Sequence, residues 1–493
     1  MGAEDKQFDT DRIAVHRSLA AVLPAHCLLC DPEDLRPYEC DGLTAFRALP
    51  LAVCLPESEQ QVRDVLGICH RLGVPVVARG AGTGLSGGAM PHPQGVVLSL
   101  ARFNRILKVD AAARLAVVQP GVRNLAVSEA AAPFGLYYAP DPSSQIACTL
   151  GGNVAENSGG VHCLKYGLTV HNVLALRVVT IEGEVLDIGT AAPDAPGYDL
   201  LALLVGSEGM LAVVTEVTVK LVPKPALAQV AMASFDDVAR AGEAVAAIIA
   251  AGIIPAGLEM MDKAATAAVE PFVRAGYDLE AAAILLCESD GTPEEVATEM
   301  ARIREVLAAS GARDIRVSAS EAARLSFWAG RKAAFPAVGR VTPDYYCMDG
   351  TIPRRHLAAM LTAIAAMETK YGLRCANVFH AGDGNLHPLI MYDAARPGDW
   401  ERAEAFGAEI LELSVSLGGS ITGEHGVGVE KINQMCVQYA TPELECFHRL
   451  KAAFDEVGLL NPGKAVPSLH RCAEYGRMHV HRGETKFPEL ERF

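Results

Sequence analysis

The chain reads as an α+β protein built from two successive domains, and three observations predict it. Its first half is dense in glycine and carries short strand patterns broken by turns. Past Pro223-Lys224-Pro225 the pattern changes to strand, alanine-rich helix and strand. At 493 residues the chain also exceeds what one ordinary core accommodates, since domains run to roughly 150 residues each. The boundaries expected are an N-terminal helical segment over 1–45, a first domain over 46–225, a second over 226–422 and a closing segment over 423–493.

A helical period runs over about 10–22. Ser58-Glu59-Gln60-Gln61 then opens a second helix as a capping box, with Val62, Val65, Leu66 and Cys69 on one face. Strand-like runs follow at 74–78, 96–100 and 115–119, each bounded by Gly, Pro or Asn. Two alternating runs between 173 and 188 flank Glu182-Gly183-Glu184 as a hairpin, and 211–222 reads as one long strand. In the second half the spacing predicts strands over 229–235, 283–289, 346–352 and 374–379. Helices are expected over 236–251, 293–309, 354–371 and 399–417. Alternating strand and helix with antiparallel returns fits a sheet covered by helices on one face.

A net charge of -16 with no basic stripe argues against nucleic-acid binding. Met1-Gly2-Ala3-Glu4-Asp5-Lys6 is charged where a signal peptide needs a basic start and an apolar run, so a cytoplasmic protein is expected. The thirteen cysteines are scattered singly apart from Cys27-Leu28-Leu29-Cys30, which suggests buried thiols rather than a disulfide framework or a zinc ribbon. No four-cysteine iron-sulfur run is present. Electrons leaving this chain therefore need a carrier elsewhere.

Three glycine motifs mislead. G-x-G-x-x-G from Gly82 to Gly87 and G-x-S-x-G from Gly84 to Gly88 both need a following helix, yet the chain runs into Met90-Pro91-His92-Pro93. Gly458 to Ala465 resembles a P-loop but has Ala465 where a magnesium-binding hydroxyl belongs. What remains is physical. A glycine-dense turn brings consecutive N–H groups toward an anion, and a second such stretch from Pro140 to Gly160 supplies another wall for a long dinucleotide.

The chemistry concentrates at His380-Ala381-Gly382-Asp383-Gly384-Asn385-Leu386-His387 and at Gly423-Glu424-His425-Gly426. Gly382 and Gly384 permit a turn that brings His380 and His387 together. With Glu424 they form a ligand set for a first-row divalent metal, zinc or manganese, and His425 stands beside it as a base. That equipment suits oxidation of an alcohol next to a carboxylate.

Taken together, Pro75 to Gly84, the Pro140 to Gly160 block and Val205-Gly206-Ser207-Glu208-Gly209 resemble the FAD domain of the vanillyl-alcohol oxidase type. His380 to His387 and residues 423–428 look like the D-2-hydroxyacid dehydrogenase branch. Tyr346 to Pro353, Lys431 to Cys436 and the tail from His470 to Phe493 are similar to the FAD-containing catalytic subunits of bacterial glycolate oxidases. The resemblance implies a two-subdomain FAD-binding domain, a ferredoxin-like α+β cap that holds substrate, and C-terminal helices that complete the flavin site.

The same resemblance implies noncovalent FAD, because no histidine lies between Arg79 and Gly88 to attach it. Arg79, Gly80, Ala81, Gly82, Thr83, Gly84 and Leu85 would hold the pyrophosphate. Pro140, Asp141, Thr149, Gly151, Gly152, Asn157, Ser158, Gly159, the Glu208-Gly209 turn and Asn461 would line the rest. Arg331 matches a carboxylate-gripping arginine, the alternative being a helix-surface residue with Lys332 or Arg340 in its place. Relatives acting on 2-hydroxyglutarate carry a lysine where this chain has Cys347, which favours a small monocarboxylate, glycolate or D-lactate. The activity implied is glycolate to glyoxylate. Electrons would pass to a complex of a second flavin-domain subunit and an iron-sulfur subunit, then to quinone, with any membrane contact peripheral. A noncatalytic accessory subunit and a stand-alone oxygen-using oxidase are the competing readings.

Overall fold

Local sequence accounts for the first helices. In the computed structural model, which describes residues 8, 10–192 and 196–468, Asp11 accepts the N–H groups of Ile13 and Ala14 and starts the helix Arg12–Ala20. The helix Glu59–Leu72 begins at Ser58, whose hydroxyl accepts from Gln61 N–H at 3.3 Å, and ends at Gly73 with φ 65°. Val62, Val65, Leu66 and Cys69 are all buried on one stripe. The capping box is only half made, because the Gln61 side chain accepts from Glu57 N–H at 2.7 Å instead of from Ser58. The charged N-terminus and the tail from His470 lie outside the described residues.

Ala52–Cys54, Val96–Ser99 and Val76–Arg79 pair in parallel, with Leu28–Leu29 antiparallel at one edge. Their unbroken apolar runs follow from burial on both faces. Ala52, Cys54, Val76 and Leu98 pack on the two helices, while Val53 and Val97 meet Leu35 opposite. A five-stranded antiparallel sheet follows, in the order Ile106–Asp110, Leu115–Val118, Val213–Lys220, Val173–Val179, Val185–Gly189. Along Val213–Lys220 burial alternates strictly, as a one-sided strand requires. Over it lies a helix that sequence reading left inside the second glycine wall, Leu150–Glu156, capped by the Thr149 hydroxyl.

The second half forms a seven-stranded sheet in the order Asp314–Val317, Leu227–Phe235, Ala283–Gly291, Gly257–Asp262, Arg374–His380, Asn385–Tyr392, Asp344–Cys347. Every pair in it is antiparallel. Ala231, Ala233, Leu285 and Cys287 face the helices Val238–Ala250, Pro293–Ala309, Leu357–Tyr371 and Asp399–Ser416. The alternate residues Val230, Met232, Ile284 and Leu286 face Ala265 and Val269 of the helix Lys263–Val273, with Trp328, Ala334 and Val338. Helices thus cover both faces rather than the one expected. The difference traces to 257–273, where a strand and helix follow one another without a turn signal.

Candidate active site

His380 ends the strand Arg374–His380 and His387 is the third residue of Asn385–Tyr392. In this hairpin Val378 lies opposite His387, and His380 is two residues on from Val378. Opposed residues share a face and so do residues two apart, which puts both imidazoles on one side. Their ring centroids are 5.0 Å apart. Gly384, at φ 85°, makes the turn, and a Cβ there would run into the Ile352 carbonyl.

Glu424 enters from the other glycine segment. Its Oε1 is 3.1 Å from His380 Nε2 and 3.2 Å from His387 Nε2. One ligand atom from each of the three residues falls within a 4.8 Å cluster. His387 Nδ1 is buried without a hydrogen-bond partner. Two imidazoles, one carboxylate and an orphaned buried nitrogen fit a divalent cation of the zinc type. Burial alone would raise Glu424, but His380 and His387 hold it well below the usual carboxylate range. Burial opposes charge on His380 too, and is outweighed by Glu259 and Glu424, which raise it well above the ordinary imidazole value.

Asp349, His387 and His425 form a second candidate cluster. Asp349 is already saturated, however. It accepts from Asn385 Nδ2, the Thr422 hydroxyl, Gly423 N–H, His425 N–H and Lys431 Nζ at 2.5 to 3.1 Å. With its lone pairs engaged, it anchors the Glu424 segment and leaves the first cluster as the cation site. His425 stacks on His387 at 4.9 Å and 7°. Its Nδ1 is buried and unpartnered, and burial lowers it to about 4, so the ring is neutral.

A cavity of about 400 Å³ runs from the first glycine loop to this cluster. Every residue from Arg79 to Leu85 lines it, as do Thr149, Gly151, Gly152, Ser158, Glu208 and Gly209, and it reaches His387, Glu424 and His425. Among the described residues the N–H groups of Ala81 to Leu85 donate to no protein acceptor. Free amides on an open loop fit a pyrophosphate.

Pro140, Asp141, Asn157, Gly159 and Asn461 do not line this cavity. Asp141 accepts from His162 Nδ1 at 2.8 Å, and Asn157 takes a left-handed helix end at φ 52° with its side chain on Val170 N–H. Gly159 lies against Glu424, where a Cβ would approach Oε2 at 2.7 Å. Asn461 donates to the Gly88 and Glu208 carbonyls and pins the glycine loop from behind. Arg331 is 1% exposed, which removes the helix-surface alternative, and its Nη1 has no partner. Lys332 lines the cavity, Arg340 sits over Phe272, and Cys347 is buried outside the lining.

Residues 50–189 match the family described as FAD binding domain, and 224–465 match FAD linked oxidases, C-terminal domain. The chain is 61% identical over 485 residues to the glycolate oxidase subunit GlcD of Escherichia coli (strain K12), spanning 98% of this chain and 97% of that one. The chain belongs to the GlcD family of FAD-linked oxidases. GlcD of Bacillus subtilis (strain 168) is 40% identical, covering 87% and 91% of the two chains, and a D-lactate dehydrogenase of Anaerostipes hadrus is 32% identical, covering 86% and 91%. Among solved structures, p-cresol methylhydroxylase superposes with TM-score 0.78 at 19% identity over 93% of this chain and 97% of that one. The 4-ethylphenol oxidase of Gulosibacter chungangensis gives 0.78 at 18% over 94% and 99%. The fold is therefore α+β of the vanillyl-alcohol oxidase type, and the cofactor of this GlcD-family chain is FAD. No helix among the described residues is long and apolar enough to cross a membrane.

Two carboxylates in this GlcD-family site escaped sequence reading, Glu259 and Asp349. Each is a lone acid within an apolar run, Leu258-Glu259-Met260 and Cys347-Met348-Asp349. That is the signal available. An uncompensated charge in a buried strand is too costly unless it has a partner.

Proposed function

We propose that this chain is the catalytic flavoprotein subunit of a glycolate oxidase, oxidising glycolate to glyoxylate. The observation that carries the reading is that the cavity reaching from the amide-lined glycine loop opens directly onto His387, Glu424 and His425. The cofactor loop, two of the three ligands and the base then share one chamber. An accessory flavin subunit has no use for that cluster.

Oxidation removes a proton from the substrate hydroxyl and a hydride from C2. FAD supplies the hydride acceptor. His380, His387 and Glu424 would hold a divalent ion, zinc or manganese, whose Lewis acidity favours the alkoxide. His425, neutral and facing the cavity, takes the proton. Arg331, whose buried Nη1 is unpartnered, would grip the substrate carboxylate, and Lys332 at the cavity wall would add a second cation. Arg79 to Leu85, Thr149, Gly151, Gly152, Ser158, Glu208 and Gly209 contact the cofactor without a covalent bond. Asn157, Gly159 and Asn461 act on it by shaping those walls. In this division 46–225 binds flavin, 226–422 caps the substrate, and 423–493 completes the site. Electrons leave through a second flavin-domain subunit and an iron-sulfur subunit toward quinone, and the chain meets the membrane only through those partners. Glycolate is preferred to D-lactate because the GlcD relative is the nearer one, at 61% against 32% identity.

The test is anaerobic flavin reduction by glycolate, D-lactate, L-lactate and D-2-hydroxyglutarate, before and after chelation. Bleaching by glycolate that is lost on chelation and restored by zinc or manganese is expected. A flavin that no hydroxy acid reduces in the assembled complex sinks the catalytic reading.

A further inference from the structure

Glu259 sits in the middle of the strand Gly257–Asp262, 1% exposed, between Leu258 and Met260. A buried carboxylate costs several kcal/mol of lost hydration unless each oxygen is engaged. Here both are. Oε1 lies 2.7 Å from His380 Nδ1, and Oε2 lies 2.5 Å from Arg331 Nε. The two donors come from different elements, one from the neighbouring strand and one from the last turn of the helix Glu321–Lys332.

The consequence for His380 is directional. In the neutral ring that a metal requires, a carboxylate accepting from Nδ1–H leaves the lone pair on Nε2, and Nε2 is the nitrogen 3.1 Å from Glu424 Oε1. Arg331 Nη2 lies against the ring, 3.3 Å from Nε2 and 3.4 Å from Nδ1, while Nη1 stays unpartnered. One side chain thus orients both the imidazole of the proposed metal set and the guanidinium of the proposed carboxylate grip.

We propose that Glu259 is the positioning residue that couples these two grips, presenting His380 Nε2 to the metal with one oxygen and holding Arg331 for the substrate with the other. The inference rests on the metal reading above. It requires a carboxylate, because the two donors reach different oxygens, and an amide puts a donating NH₂ in the place of one of them.

The experiment measures Zn²⁺ affinity of the FAD-loaded protein by competition with a chelator, with flavin absorbance and thermal melting as checks on folding. Glu259→Gln should weaken Zn²⁺ binding about 10- to 100-fold, the usual effect of losing the partner of a metal-bound histidine. In E259Q/R331M the guanidinium donor is gone and the charge is balanced, so the amide oxygen is free for His380. Zn²⁺ affinity should return to within a few-fold of the parent while glycolate reduction stays lost. Parental affinity in E259Q overturns the coupling role and leaves the metal reading intact. A double variant as weak as E259Q, or one that does not fold, also overturns it, since Glu259 would then serve folding alone. A parent chain that binds no Zn²⁺ overturns the metal reading and this inference together.

Discussion

At the scale of single residues the site separates two jobs that chemistry wants separate, metal ligation and proton acceptance. Glu424 faces His380 at 3.1 Å and His387 at 3.2 Å. His425 instead stacks on His387 and lines the cavity, its Nδ1 buried and unpartnered. If His425 is the base, His425→Gln should leave flavin and zinc content unchanged and slow anaerobic reduction by glycolate roughly 10²- to 10⁴-fold. Stopped-flow bleaching measures this directly. Gly159 offers a steric test of the ligand set from outside it. A Cβ there would stand 2.7 Å from Glu424 Oε2, an oxygen whose side chain is pinned by two histidines. Gly159→Ala should therefore lower zinc retention, read by metal content after dialysis, with the flavin still bound. The histidines and Glu424 were legible in sequence because two short glycine-flanked segments concentrate them. Arg331 was legible as a residue but not in its state, since a helix position says nothing of which face is buried.

At the scale of elements, the segment from Thr422 to Gly428 has no regular structure of its own and is held by two carboxylates. Asp349 accepts N–H groups of Gly423 and His425, and Glu208 accepts those of Val427 and Gly428 at 2.7 Å each. Asp349 and Lys431 are fully buried 3.1 Å apart. Lys431→Met strands a buried carboxylate and should cost roughly 3–5 kcal/mol in denaturant unfolding, more than a surface lysine, which costs about 0–1. Local periodicity was enough for the helices Glu59–Leu72, Pro293–Ala309 and Asp399–Ser416 and for most strands. It failed for Gly257–Asp262, where burial on both faces erases the alternation a one-sided strand shows, and for the helix Lys263–Val273 that follows it directly. It failed again at Leu150–Glu156, because two glycines in one turn read as a loop.

For the whole molecule, a polar clasp joins the flavin half to the cap. His162 faces Asp141 at 2.8 Å and Glu288 at 3.1 Å, Glu288 also accepts from Arg324 and Trp328, and Lys165 pairs with Asp290. Burial disfavours charge on His162, but Asp141 and Glu288 outweigh it and raise the imidazole from 6.5 to about 10. A raised value in the folded state means the stabilisation is complete below about 6.5 and is lost as pH climbs through about 10. His162→Gln should flatten the melting temperature across that window and lower it most at the acid end. An unchanged slope would remove the clasp from the account.

What the sequence by itself determined is everything that depends on neighbours along the chain. Helix starts at Asp11 and Ser58 are of this kind, as are the hairpin that folds His380 onto His387's face and the glycine loop that leaves its amides free. Only the tertiary structure decided which distant groups complete them. Glu259 meets His380 across 121 positions, Asp349 reaches His425 across 76, and Asn461 ties down Gly88 across 373. Asp141 and Asn461, expected along the cofactor, take protein partners in His162 and in the Gly88 and Glu208 carbonyls. The reason is physical. A buried charge or amide must find a partner wherever the packed strands bring one, and that choice is made by the fold as a whole rather than by the residues on either side.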